Sequence, residues 1–83
     1  MPYTRHVKFL FARSARRHKI GRAHALAALT KAGEPIQLPN LDYLWIASDD
    51  RGIELEIIGF RAQEDENLVI VKHVIPTDLR RKP

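Results

Sequence analysis

The sequence of 83 residues predicts a small α+β domain. An alanine-rich stretch lies within the basic first third, and apolar residues alternate along 42–76 between two turns. Helices that pack on one face of an antiparallel sheet make an α+β domain. We therefore expect a single domain over residues 1–83, in which an N-terminal strand or extended segment and two short helices pack on a three-stranded antiparallel meander, followed by a short basic C-terminal tail.

The segment before the meander is predicted to be mostly helical. Val7, Phe9 and Phe11 lie two residues apart, which favours a short strand or extended segment over residues 6–12, with the start of a helix as the alternative. Residues 14–18 contain no helix breaker and are predicted to form a helical turn. After a break at Ile20-Gly21, the alanines and leucines of residues 22–32 predict the main helix.

The meander is predicted from turn chemistry and alternation. Its strands are expected at residues 43–47, 53–60 and 68–75. Asp49-Asp50-Arg51-Gly52 suits a tight turn, because Gly52 can adopt a positive φ without steric cost. This turn sets Trp45 opposite Ile57. If Phe60 then pairs with Leu68, the third strand follows in register.

That register is favoured by charge. It sets Glu56 opposite Lys72 and Leu55 opposite His73. Opposite charges directly across a strand pair stabilise it by roughly 0.2–1 kcal/mol.

The meander has apolar residues on both faces. The first face, expected to receive the helices, carries Tyr43, Trp45, Ala47, Ile53, Leu55, Ile57, Val69, Val71, His73 and Ile75. The second face carries six candidate partner-binding residues: Leu44, Ile46, Ile58, Phe60, Leu68 and Ile70. Either the N-terminal segment covers this second face, or a partner protein or a second copy of the chain does, because exposed apolar patches mark interaction sites.

The charge distribution predicts a polyanionic partner. The formal net charge is +4, yet residues 1–33 contain eight Lys or Arg and no acid, and residues 34–79 contain all ten acids. A one-sided positive surface favours RNA or DNA, with an acidic protein or a merely solvated surface as alternatives. The chain has no cysteine, no apolar run of membrane-spanning length and a charged start, so we expect a cytoplasmic protein without disulfides.

The densest basic segment, residues 13–24, is the predicted nucleic-acid site. It holds five Lys or Arg, two histidines and no acid. Such cations neutralise phosphates, and arginine can hold a phosphate through two parallel hydrogen bonds. The candidate nucleic-acid-binding residues are Arg13, Arg16, Arg17, Lys19 and Arg22, with Arg81 in the tail.

Histidine is the candidate catalyst, because cleavage of RNA by its own 2′-hydroxyl needs an acid and a base near neutral pH and no metal. His18 has basic neighbours that disfavour its charged form, which suits a base. His73 is either a core histidine on the helix-facing side of the sheet or a catalyst at the rim, near His18 and Arg80. His24 is expected on the helix surface. The four histidines have no metal-ligand spacing, so no metal or other cofactor is predicted.

Three segments resemble those of a known family. They are Arg16-Arg17-His18-Lys19-Ile20 before the main helix, the hairpin of residues 45–57 with Arg51-Gly52 in its turn, and residues 70–81, which include His73-Val74-Ile75-Pro76-Thr77. Over residues 7–81 the chain resembles the BrnT-like members of the RelE/ParE toxin superfamily. These are the small basic toxins of bacterial type II toxin–antitoxin pairs.

The resemblance implies an endoribonuclease that cleaves mRNA, free or on the ribosome, and that a cognate antitoxin holds inactive. It implies RNA contacts on Arg16, Arg17, Lys19 and Arg22. It implies chemistry on His18, His73 and Arg80. The alternatives are a nucleic-acid-binding module without catalysis, a protein-interaction domain that meets an acidic partner, and a gyrase-directed toxin. The antitoxin or a second copy is expected on the second apolar face.

Overall fold

Five strands form one sheet in the described part of the chain. The computed structural model describes residues 7–16 and 19–81, the last two without their side chains. The elements are β1 (Lys8–Phe11), a 3₁₀ helix (Arg13–Arg16), α1 (Arg22–Lys31), β2 (Ile36–Gln37), β3 (Tyr43–Ser48), β4 (Glu54–Arg61), β5 (Leu68–Pro76) and α2 (Thr77–Arg81). The strand order is β1-β5-β4-β3-β2. Among the described residues, no helix combines the length and apolar character needed to cross a bilayer.

The α+β class is confirmed, but the sheet is larger than predicted. β3, β4 and β5 are antiparallel neighbours, as in the predicted meander. β1 adds a parallel edge strand beside β5, and the two-residue β2 adds the other edge beside β3. The predicted three-stranded antiparallel meander is therefore the centre of a five-stranded mixed sheet. Local patterns do not reveal β1's place, because Lys8 pairs with Leu68 near the other end of the chain.

The hairpin of β3 and β4 has the predicted register. Trp45 pairs with Ile57, and Ala47 pairs with Leu55. Gly52 adopts a φ of 83° in the turn. Pairing and turn were predictable here because the two strands are adjacent in sequence and the turn residues specify how they meet.

The predicted register of β5 is wrong. Phe60 pairs with Ile70 rather than with Leu68. A β-bulge then leaves Lys72 without a partner in β4, because Val71 pairs with Gly59 and His73 pairs with Ile58. A Cβ on Gly59 would lie 2.7 Å from the carbonyl oxygen of Ile70. The observed register therefore requires a glycine at this position.

The bulge moves the following residues of β5 to the opposite faces from those expected. The pairs that it creates are Leu55–Pro76, Glu56–Ile75, Ile57–Val74 and Ile58–His73. The predicted pairs of Glu56 with Lys72 and of Leu55 with His73 do not form. His73 therefore lies on the second face beside Ile58, and not on the helix-facing side.

The first face of the sheet is the covered face, against which α1 packs. Its most deeply buried side chains are Trp45, Leu55, Ile57, Val69, Val71 and Val74. α1 presents Ala25, Ala28 and Leu29 to them, and their small size lets the helix lie close. Burying a large apolar side chain contributes roughly 1.5–3 kcal/mol. The main helix begins at the predicted Arg22. The helical turn expected at residues 14–18 is 3₁₀ helix as far as Arg16, and residues 17–18 lie outside the described part of the chain.

The second face is the open face, on which apolar side chains remain accessible. None of its six predicted partner-binding residues is fully buried. Ile46 is 47% exposed and Phe60 is 37% exposed, while Leu44, Ile58, Leu68 and Ile70 are half-buried. Leu10 of β1 and Ile36 of β2 extend this surface to both edges of the sheet. Because α1 packs on the other face, the expectation that the N-terminal segment covers the second face is wrong for the described residues.

Candidate nucleic-acid interface

Basic side chains gather in a pocket where the 3₁₀ helix meets the start of α1. This pocket, the basic pocket, has a volume of about 440 Å³. Its lining residues are Phe11, Ala15, Arg16, Lys19, Ile20, Gly21 and Arg22. It brings together three of the predicted nucleic-acid-binding residues, Arg16, Lys19 and Arg22, and all three are exposed.

A turn at Lys19 holds this arrangement. The N–H of Lys19 donates to the carbonyl oxygen of Arg16 at 2.9 Å, and Lys19 has a φ of 58°. This left-handed conformation costs a residue with a side chain roughly 1–2 kcal/mol, and such strain concentrates at functional sites. The turn lets Arg16, at the end of the 3₁₀ helix, and Arg22, at the start of α1, line the same pocket.

The start of α1 adds positive potential to the basic pocket. Gly21 occupies the N-cap position and has no side chain to accept hydrogen bonds from the first N–H groups. The first turn of α1 contains no acid. The first N–H groups of an α-helix have no acceptor within the helix and carry partial positive charge, so they attract anions. Since Gly21 and Arg22 both line the pocket, its chemistry favours a phosphate or another anion.

Phe11 gives the basic pocket an apolar wall. The Cζ atom of Arg22 lies 5.9 Å from the centroid of the Phe11 ring, within the range of a cation–π contact. Phe11 itself packs against the buried core. The ring therefore connects the pocket to the buried core.

The other predicted nucleic-acid-binding residues do not line the basic pocket. Arg13 lies exposed on the same 3₁₀ helix. Arg17 lies outside the described residues, and Arg81 is described by its backbone alone, in α2.

His73 lines a second pocket, on the open face of the sheet. This pocket, the His73 pocket, has a volume of about 380 Å³. Its lining residues are Ser14, Leu38, Asn40, Asp42, Ile58, Lys72 and His73. Bulges re-aim side chains, and the one at Lys72 turns His73 toward the open face. The interpretation of His73 as a core histidine on the helix-facing side is therefore wrong.

Lys72 ties the His73 pocket to its surroundings. Its Nζ forms an ion pair with Oδ2 of Asp42 at 2.5 Å, and Nδ2 of Asn40 donates to the same oxygen at 3.0 Å. The hydroxyl of Ser14 donates to the carbonyl oxygen of Lys72 at 2.7 Å. The bulge is thereby held to the 3₁₀ helix on one side and to the segment before β3 on the other.

The described residues do not assemble the whole predicted catalytic set. His18 lies outside them. Arg80 is described by its backbone alone, in α2, which directly follows β5. Of this set, His73 is the residue whose surroundings the structure describes.

A group of potential metal ligands joins α1 to the turn between β3 and β4. Single ligand atoms of His24, Asp49 and Asp50 lie within 4.8 Å of one another. Sequence spacing did not indicate this group, because its members come from elements distant in the chain. The hydrogen bonds of Asp49 show whether this group can bind a metal.

Asp49 is saturated with hydrogen bonds from its own turn. Its Oδ1 accepts the backbone N–H groups of Arg51 and Ile53 at 2.8 and 3.0 Å, and its Oδ2 accepts Nε–H and Nη2–H of Arg51 at 3.0 and 2.7 Å. Burial raises the pKa of Asp49, but the hydrogen bonds from Arg51 and Ile53 outweigh it and lower the pKa from 3.8 to about 2. A carboxylate with four donors acts as a turn residue and has no lone pair left for a metal.

His24 connects α1 to this turn through a hydrogen bond. Its Nδ1 lies 2.7 Å from Oδ1 of Asp50, and the hydrogen bond from His24 lowers the pKa of Asp50 below its usual value. The Nζ of Lys31 donates to the carbonyl oxygen of Asp49 at 2.9 Å. His24, expected on the helix surface, is half-buried and has this structural role.

Comparison with known proteins does not place the chain in a family. No protein-family model matches it, and neither does any curated protein or solved structure. The class that the fold and pockets define is a small α+β domain with a basic pocket at a helix N-terminus. A function has to be argued from those features, because a fold alone does not specify one.

Proposed function

We propose that this chain binds RNA through the basic pocket and cleaves it without metal, as the toxin of a type II toxin–antitoxin pair. The observation that carries RNA binding is the meeting of Arg16, Lys19 and Arg22 with the N-terminal end of α1. Three cationic side chains and partially positive N–H groups around one cavity attract an anion, and phosphate is the anion that RNA repeats along its chain. The net charge of +4 adds long-range attraction.

His73 is the proposed proton-transfer group for cleavage. When the 2′-hydroxyl attacks the neighbouring phosphorus, one group removes the hydroxyl proton and another protonates the departing 5′-oxygen. His73 supports this role because it lines a pocket on the open face rather than the core. His18 shares the acid and base roles with His73, and Arg80 stabilises the charge that develops on the phosphate oxygens.

The two pockets adjoin the same 3₁₀ helix, and we propose that one RNA strand crosses this helix to contact both. Ser14 lines the His73 pocket, and Arg16 lines the basic pocket. These two residues are separated by a rise of about 4 Å along the helix, at about 2 Å per residue. Arg13, exposed on the same helix, supplies a further phosphate contact.

The open face is the proposed antitoxin surface. Two apolar rows cross its strands: Leu10–Ile70–Phe60 and Ile36–Leu44–Ile58. Because the His73 pocket opens on this face, a protein seated there would also close the pocket. Binding of the antitoxin and inhibition of cleavage would then be the same event. A second copy of the chain on this face is the other occupant, and the mass of the purified species separates the two.

The first test follows growth and total RNA during induced expression in bacteria, for wild type beside His73→Ala. Arrest with RNA loss is expected from the wild type and not from the variant. His24→Asn is the matched control, because it removes a histidine that lines neither pocket, and it should remain toxic. Circular dichroism and thermal melts establish that each variant folds. Normal growth with intact RNA and folded wild-type protein would rule out the nuclease.

RNA binding without cleavage is a second function that one observation favours. The basic pocket and the His73 pocket have no lining residue in common. A pure binding protein would bind RNA with an affinity that falls steeply with salt and would release no product. Arg16→Ala would then lower the slope of log affinity against log salt by roughly 0.7, whereas His73→Ala would leave it unchanged. Failure to bind RNA or DNA at low salt would point instead to an acidic protein partner.

A further inference from the structure

Arg22 and Phe11 form a cation–π pair on the wall of the basic pocket. The Cζ atom of Arg22 lies 5.9 Å from the centroid of the Phe11 ring. The ring is half-buried and packs against the core, so its orientation is fixed from below. Arg22 is exposed. A guanidinium and an aromatic ring, both planar groups, therefore lie close together on the wall of the pocket.

Phosphate binding makes use of the charge of Arg22 and not of the Phe11 ring beside it. An arginine that only neutralises a phosphate needs no ring beneath it, and Lys19 fulfils that role in the same pocket. Unpaired nucleobases stack on guanidinium planes and on aromatic rings in proteins that bind single strands. The pocket volume of about 440 Å³ lies within the range of roughly 300–1,000 Å³ typical of small-molecule sites. The pocket therefore has room for a base beside its phosphate, and Ile20 adds apolar lining.

We propose that the basic pocket takes one unpaired RNA base, stacked on the guanidinium of Arg22, while Arg16 and Lys19 hold the neighbouring phosphates. The inference rests on the proposed RNA binding and narrows the ligand to single-stranded RNA. In a duplex the bases are paired and stacked inside the helix, where a side chain on the protein surface cannot reach their faces.

The test compares Arg22→Lys with Arg16→Lys. Both changes keep the positive charge, but lysine has no planar group on which a base can stack. Arg16 lines the same pocket and is the matched control, because Arg22 is the arginine over the Phe11 ring. Affinity is measured by fluorescence anisotropy with a short single-stranded RNA, a duplex of the same length and a strand with abasic sites. All carry 2′-O-methyl riboses, so that no 2′-hydroxyl is present to cleave them.

Arg22→Lys is expected to weaken binding of the single strand roughly 5- to 150-fold, the effect of losing one stacked base, and Arg16→Lys much less. The abasic strand should bind both variants and the wild type alike. A 2-aminopurine placed in the single strand should lose fluorescence on binding to the wild type and keep it with Arg22→Lys. Phe11→Leu keeps an apolar side chain against the core and should weaken the same stack.

Two outcomes would overturn the inference in different ways. Equal affinity for single strand and duplex, together with equal effects of Arg22→Lys and Arg16→Lys, would reduce the basic pocket to a phosphate site and leave the proposed RNA binding intact. Absence of binding to all of the RNAs at low salt would remove the base site and the proposed RNA binding together.

Discussion

The covered and open faces come from the same strands and differ in what lies against them. On the covered face, Trp45 and Leu55 are 1% and 0% exposed beneath α1. On the open face, Ile46 and Phe60, from the same two strands, keep 47% and 37% of their surface exposed. Trp45 and Ile46 are adjacent in the chain. An apolar side chain thus lies in the core or at the surface according to the face it occupies, and its residue type does not distinguish the two.

The two faces differ in exposure because the chain has too little helix to cover both. α1 has 10 residues, or about 15 Å of helix. The sheet is five strands wide, and neighbouring strands lie about 4.8 Å apart. A helix of this length covers part of one face. The chain therefore keeps apolar side chains exposed on the open face, and the His73 pocket opens on that same face.

The largest expected difference between the faces is in stability. Leu55→Ala removes a fully buried side chain from beneath α1 and should lower the free energy of unfolding by about 2–5 kcal/mol. Ile46→Ala, on the open face, should lower it by about 1 kcal/mol or less. Urea unfolding at neutral pH measures both. Losses of equal size would mean that the open face is buried in the isolated protein.

The close approach of β4 and β5 gives the next effect. Gly59→Ala sets a Cβ 2.7 Å from the carbonyl oxygen of Ile70 and should cost about 1–3 kcal/mol through overpacking. Gly33→Ala is the control, because a Cβ there meets no atom within 4 Å. It should leave the urea midpoint unchanged or raise it slightly. A neutral Gly59→Ala would contradict the observed register at the bulge.

The turn that closes the β3–β4 hairpin should make the free energy of unfolding fall at low pH. The pKa of Asp49, about 2 in the folded chain, lies below its ordinary value of 3.8, so the folded chain holds this proton less readily than the unfolded chain. The stabilisation is complete above pH 3.8 and is lost as pH falls to about 2. Asp49→Asn should lower the urea midpoint at neutral pH and flatten its fall between pH 4 and pH 2. Glu64→Gln, at an exposed acid in the other turn, should do neither.

The smallest effect on stability should accompany the clearest effect on association. The double change Ile46→Ser with Phe60→Ser alters two exposed side chains of the open face and should change the free energy of unfolding by about 1 kcal/mol or less. It should weaken binding of the proposed antitoxin, or the alternative self-association, as measured by light scattering after size exclusion. Unchanged association in a folded double variant would remove the open face as the partner surface.

The candidate site was predictable in its charges and not in its assembly. Arg16, Lys19 and Arg22 stand out because the segment around them contains no acid. Their meeting in one pocket depends on the left-handed turn at Lys19, which a lysine rarely adopts and which no local preference indicates. The sequence did not predict that Phe11 lines the basic pocket. The available signal was an alternating apolar residue at the end of the first strand, just before the basic segment.

The sequence by itself determined the α+β class, the β3–β4 hairpin, the main helix and the separation of basic from acidic segments. These features depend on neighbouring residues, through alternation, turn chemistry and helix propensity. The tertiary structure alone decided that β1 lies parallel to β5, that the bulge turns His73 to the open face, and that three cations meet at Gly21. The first two depend on contacts between segments far apart in the chain, such as the close approach of Gly59 to Ile70. The third depends on the left-handed turn at Lys19, a conformation that a lysine rarely adopts.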